Sequence, residues 1–181
     1  VHYTRSTDTT ISLNERSNKE NNGDFDYFIS IHRNAYKPEL AKGSEIHVYA
    51  NGSVAEQLAN KVNSELIKNS FINRGIKVSN FHVLRETKCP AILVEVGFID
   101  NTSDNFIFDS KFEQIAQSIV KGCLLQIGKV INSSTNNLNN YEVYYRCIVG
   151  SFKERENAEG RKAELIEKGY KDTFIEVYKR K

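Results

Sequence analysis

The stretch TKCPAILVEVGFIDN, Thr87 to Asn101, decides how this chain folds. It is an unbroken apolar run opened by Pro90 and closed after Gly97, and a run of that kind reads as a buried strand. Period-two alternation puts Ile92, Val94 and Val96 on one face and Leu93, Glu95 and Gly97 on the other. Glu95 is thereby carried into largely apolar surroundings. An ionised carboxylate is costly there unless a cation, a metal-bound water or strong donors meet it. Strand chemistry alone leaves two readings open: a structural ion pair with a buried Lys or Arg, or a functional acid tuned by its environment.

A second stretch, FDYFISIHRNA from Phe25 to Ala35, reads as a strand that ends in a histidine. Phe25, Tyr27, Ile29 and Ile31 share one face, and Asp26, Phe28, Ser30 and His32 share the other. His32 stands at the carboxyl end, the edge of an open α/β sheet at which ligands bind. A lone histidine there is commonly a satisfied structural residue. Beside a buried glutamate on a neighbouring strand end, it reads as a metal ligand next to a general base.

Composition bounds the remaining classes. The 181 residues suit one medium domain plus a small one, and 39% apolar residues can supply a core. A formal net charge of +2, with lysines scattered among acids and no basic arm, argues against a nucleic-acid partner. No apolar run approaches the length of a membrane span. Cys89, Cys123 and Cys147 lack C-x-x-C spacing and suggest neither a zinc motif nor a disulfide framework. Cys89 has no identifiable base beside it and is read as a strand-entry residue rather than a nucleophile.

Four motifs occur in a defined order: T-R-x-x-D at Thr4 to Asp8, SIHRNA at Ser30 to Ala35, GSEIHVYA at Gly43 to Ala50, and the run from Val83 to Asn101. In order and spacing they resemble the zinc-dependent N-acetylmuramoyl-L-alanine amidases, bacterial autolysins and phage endolysins that cut the glycan–peptide bond of peptidoglycan. The resemblance covers about residues 1 to 128. It implies an α/β fold, a twisted, mostly parallel sheet flanked by helices, and Zn2+ as the cofactor. His32 matches a histidine ligand of the family's zinc, and Glu95 matches its catalytic glutamate. Asn34 and Arg85 fall where the resemblance places substrate contacts.

The resemblance also implies a mechanism. Zinc polarises the lactyl carbonyl and acidifies its bound water, and Glu95 takes the water's proton and returns it to the amine of L-alanine. The family's first histidine and its ligand glutamate would precede Val1, and the chain contains no Met. The expectation is a fragment or processed product that lacks two zinc ligands and the first strand and helix of the fold. His2 is a poor substitute ligand, because it reads as part of a strand end over Val1 to Arg5. The alternative is an inactive piece that binds or supports the wall. Action is expected at the cell wall outside the cell, or in the cytoplasm until lysis for a phage endolysin; oligomeric state is left undecided.

Between these motifs the chain is predicted to run as follows. A loop from Asp8 leads into a polar helix ending near Asn22. Gly43 to Ala50 is a strand with Ile46 and Val48 inward and His47 on the opposite face, at a surface or edge. Ser53 and Glu56 form a capping box ahead of a helix with Val54, Leu58, Val62 and Leu66 along one face. Asn73 to Lys77 turns through Gly75, and Val78 to Leu84 leads to the central strand. After Asn101 a polar link reaches a second capping box, Ser110 and Glu113. An apolar stripe from Phe112 through Ile115, Ile119, Val120 and Cys123 to Ile127 follows, and Gly128 ends it.

Three segments are expected: a catalytic domain over 1–128, a flexible linker over 129–140 around NSSTNNLNN, and a β-α-β unit over 141–181. The last resembles the opening half of a SPOR domain, a module that binds peptidoglycan glycan strands. Tyr144, Arg146 and Phe152 are the contacts expected if it binds sugar.

Overall fold

A computed structural model describes residues 1–129, 152–171 and 173–175. The chain divides into two compact units, Val1–Thr135 and Asn136–Lys181. The first is a four-stranded sheet with helices on both faces. Its elements run α1 (Leu13–Asn21), β1 (Phe28–Asn34), β2 (Ser44–Val48), α2 (Val54–Leu66), β3 (Asn73–Val78), α3 (His82–Arg85), β4 (Ala91–Phe98), α4 (Thr102–Ser110) and α5 (Phe112–Gln126).

Strand order is β1-β4-β2-β3. β1 pairs parallel with β4 and β3 parallel with β2, but β2 and β4 run antiparallel, so the sheet is mixed. The central pair is therefore β4 and β2. That placement corrects the expectation for His47, which is 7% exposed because its strand has neighbours on both sides.

One sheet face makes the main core. Ile92, Val94 and Val96 of β4 meet Ile46 and Val48 of β2, Leu58, Val62 and Leu66 of α2, and Ile115 and Ile119 of α5. Gly122 of α5 lets the two helices touch, since a Cβ there would lie 2.4 Å from the Val62 Cα. The opposite face carries a smaller cluster, Ala91 and Leu93 under Val83 and Leu84 of α3 with Phe28 against them. The alternation expected of the central strand is thus realised on both faces.

Several local expectations are corrected. Val1 to Arg5 form no strand, and Val1 and Tyr3 stand in solvent with no apolar face to anchor one. Asn73 to Lys77 is a strand, not a turn: Gly75 sits at φ +79° and bulges within it. The polar link after Asn101 is the helix α4, capped by Asn101 Oδ1 accepting from the Asp104 backbone N–H at 3.1 Å. The Ser110 capping box does not form, because Ser110 Oγ donates back to the Phe106 carbonyl at 2.6 Å. At α2 only half the box is made: Ser53 Oγ accepts from Glu56 N–H at 3.2 Å, while the Glu56 carboxylate accepts from Gly52. A capping box is instead complete at Ser12 and Glu15, which starts α1. The α5 stripe is narrower than predicted, with Phe112, Val120 and Ile127 exposed.

In the second unit the described residues contain the helix α6 (Arg155–Glu167), followed by Gly169 at φ +95°. Thr173 to Ile175 carry no strand. The flanking strand expected before Phe152, with Tyr144, Arg146 and Cys147, lies outside the described residues, as do residues 176–181.

Candidate active site

The second sheet face carries a polar row across three strands. His32 on β1 is the cross-strand partner of Glu95 on β4, and Glu95 is in turn the partner of Glu45 on β2. A residue of extended strand points to the same face as its direct partner, so all three side chains share one surface. Just past this row β4 bulges. Val96 and Gly97 together oppose Arg33, Gly97 takes φ +70°, and a Cβ on it would meet the Phe71 ring at 2.9 Å and Asp104 at 3.1 Å. Two clamps hold the bulge. Arg33 donates to the carbonyls of Val96 and Phe98, both at 3.0 Å, and the buried Asp104 carboxylate accepts from Phe98 and Gly43 N–H, both at 2.8 Å.

Glu95 sits in this row with no counter-ion among the described residues. Its Oε2 is buried and has no hydrogen-bond partner among the described residues. Burial, and then the negative charge of Glu45, push its carboxyl up to about 7 from an ordinary 4.5. The ion-pair alternative is therefore not realised among the described residues. His32 lies alongside, its Nε2 2.9 Å from Ser30 Oγ, and burial followed by the charge of Arg16 lowers its pKa, so it favours the neutral imidazole that can act as a ligand or acceptor.

Glu45 has the opposite environment. It is 4% exposed, and its Oε1 accepts from Asn34 Nδ2 at 2.9 Å and lies 3.2 Å from His47 Nε2. Its Oε2 takes Arg74 Nε at 2.6 Å and the Lys77 ammonium. Burial raises its pKa, but the two cations outweigh that and bring it to about 2. The β3 bulge explains how both reach it: Arg74 and Gly75 together occupy the place opposite Glu45. His47 is closed off by Glu45 and by Ser79 Oγ, 2.7 Å from its Nδ1.

The sequence-predicted residues are partly brought together. His32, Asn34 and Glu95 lie on one face at the ends of adjacent strands. Arg85 does not join them, since its guanidinium is taken by Glu86 at 2.6 Å and by Asn80 Oδ1 at 2.6 Å. Burial, then the Glu20 carboxylate, push the Cys89 thiol up to about 12, which disfavours the thiolate a nucleophile needs. Phe152 is 46% exposed on the second unit. Sequence reasoning passed over Glu45, Arg74 and Lys77. The signal for Glu45 was in GSEIHVYA, where alternation puts Glu45 beside His47 and opposite Ile46.

A catalytic zinc takes three protein ligands. Among the described residues no group of three or more His, Cys, Asp or Glu could hold a metal ion. His32 and the orphaned Glu95 oxygen alone do not fit one, and His2 stands with its ring 5.2 Å from that of Phe25.

Residues 1–124 match the family described as N-acetylmuramoyl-L-alanine amidase. The chain belongs to this amidase family. It is 36% identical over 172 residues to an N-acetylmuramoyl-L-alanine amidase of Bacillus licheniformis, covering 94% of this chain and 64% of that relative. It is 34% identical over 169 residues to the sporulation-specific N-acetylmuramoyl-L-alanine amidase of Bacillus subtilis, covering 92% of this chain and 63% of the relative. The crystal structure of an N-acetylmuramoyl-L-alanine amidase from Clostridium difficile superposes with a TM-score of 0.64 at 37% identity, over 68% of this chain and 69% of that one. The mixed sheet with helices on both faces is thus the amidase architecture, while the chain spans under two thirds of the length of those two curated relatives.

Proposed function

We propose that this chain carries the proton-transferring part of a peptidoglycan amidase site, which cleaves the amide between the lactyl group of N-acetylmuramic acid and L-alanine. The observation that supports it is Glu95: a half-buried carboxyl with a free oxygen, no counter-ion among the described residues and a pKa of about 7, next to His32 in an amidase fold. A general base works best when its pKa lies near the working pH.

In this reading the Glu95 carboxylate accepts a proton from water as the water oxygen bonds to the lactyl carbonyl carbon. The C–N bond then breaks, and Glu95 returns the proton to the departing alanine nitrogen. The carboxyl ends as it began. Asn34, fixed by Glu45 and by the Ala35 N–H at 2.8 Å, forms the cleft wall beside the reacting amide. His32 is proposed as one ligand of the family's zinc. The described residues do not complete the three-donor set that such a zinc takes.

The alignment with the Bacillus licheniformis amidase extends over 94% of the chain and so beyond the matched family region. This supports reading residues 141–181 as part of a wall enzyme; that they bind glycan in SPOR-like fashion, with Tyr144, Arg146 and Phe152 as contacts, rests on their sequence pattern alone. No helix of the described residues is long and apolar enough to cross a membrane. The cell wall is the proposed place of action and peptidoglycan the proposed partner.

A second reading, wall binding without turnover, is favoured by the missing three-donor cluster among the described residues. Digestion of purified walls with zinc present separates the two. The amidase reading expects peptides with new L-alanine amino termini, abolished by a chelator. Release from a bond within the glycan or the peptide cross-link would overturn it. Walls that retain the protein in a pull-down and release nothing would establish the second reading.

A further inference from the structure

Beside the polar row the sheet edge opens into a cleft of about 370 Å³, with Asn34, Tyr36, Leu40, Arg74 and Phe98 in its wall. Among the described residues of that lining, Arg74 alone is charged. It is held at two points, by Nε on Glu45 at 2.6 Å and by its guanidinium carbon 5.0 Å from the centre of the Phe98 ring. Its two terminal nitrogens have no partner among the described residues, and a third of the side chain is exposed. Glu45 carries one negative charge against two cations, Arg74 and Lys77, so the cluster keeps one positive charge over. A guanidinium fixed in plane with open donors is the usual means of reading a carboxylate.

Position gives the ligand. Glu45 and Arg74 follow Glu95 on the next two strands in the sheet, and strand spacing puts the Arg74 backbone roughly 10 Å from that of Glu95. The Arg74 side chain bends back over Glu45 and shortens that span. From the scissile nitrogen, a carboxylate on the residue after L-alanine lies about 5–7 Å away along an extended chain. We propose that Arg74 is a binding residue for the carboxylate of the acidic residue that follows L-alanine in the stem peptide. The proposal rests on the amidase reading and adds the substrate class to it: stem peptides with a free carboxylate at this position rather than an amide.

The test is calorimetric titration of this chain with two dipeptides whose γ-carboxyl is amidated, as it is in the stem: L-alanyl-D-glutamine, with a free α-carboxylate, and its α-amide, L-alanyl-D-glutamine amide. The acid is expected to bind about tenfold tighter or more. Arg74→Gln should shrink that preference to within about twofold, and Arg74→Lys, which keeps a cation on Glu45, should retain part of it. Equal affinity for the two dipeptides, a preference that survives Arg74→Gln, or no binding of either would overturn the subsite. Wall digestion decides the parent reading separately. Selective binding without wall cleavage sinks the amidase reading alone, and cleavage with indifferent dipeptide binding sinks the subsite alone.

Discussion

Glu45 and Glu95 are cross-strand partners with opposite protonation behaviour, and their neighbours account for it. Folding lowers the Glu45 pKa from 4.5 to about 2, so the fold favours its ionised form. That contribution is complete above about pH 4.5 and fades as pH falls toward 2. Glu45→Gln leaves two cations facing each other without an anion, and we expect a loss of about 2–4 kcal/mol in urea unfolding at pH 7, narrowing between pH 5 and 2. Glu95 has the reverse sign. Its pKa is raised to about 7, so wild-type stability falls as pH rises from 4.5 to 7. Glu95→Gln should match wild type at pH 4 and exceed it at pH 8 by about 1 kcal/mol, a figure discounted for partial exposure. An unchanged difference across that range would show that Glu95 does not titrate as described. Glu95 was legible from sequence because an acid interrupts an apolar run. Arg74 was not, because its role depends on a bulge that redirects it, and R-G-I-K reads locally as a turn.

At the scale of elements, the central strand was legible on both faces, and so was α2, because their apolar periodicity matched burial. What failed were elements whose signals are local or whose neighbours are distant. α4 was missed because its start depends on Asn101 and a buried Asp104, and its apolar residues, Phe106, Ile107 and Phe108, are adjacent rather than spaced along one helical face. His47 was misplaced because strand order cannot be read from β2 alone. The α2–α5 contact is the element-scale feature most open to test. Gly122→Ala puts a methyl carbon 2.4 Å from the Val62 backbone and 2.8 Å from its Cγ2, neither at the tip of a long side chain. The helices must separate, and thermal or urea unfolding should show a loss of about 2–3 kcal/mol. A loss below 0.5 kcal/mol would mean that the helices are less closely seated than described.

For the whole molecule, the chain divides into Val1–Thr135 and Asn136–Lys181, and the described cores of the first unit are drawn from its own elements. A chain ending at Thr135 should unfold cooperatively within about 3 °C of the first unit's transition in the whole chain. It should also hold purified walls more weakly if the second unit binds glycan. Family membership was the most legible property of all, since it rests on four ordered motifs, three of which fall on strands of the sheet. The metal centre was the least, because its donors cannot be completed from the described residues. Glu95 as the proton carrier in the proposed amide hydrolysis is tested by measuring L-alanine amino termini released from purified walls by wild type and by Glu95→Gln at pH 7.5 with zinc. The expected result is a fall of about 100-fold or more with wall binding retained. Release by Glu95→Gln within threefold of wild type would contradict it.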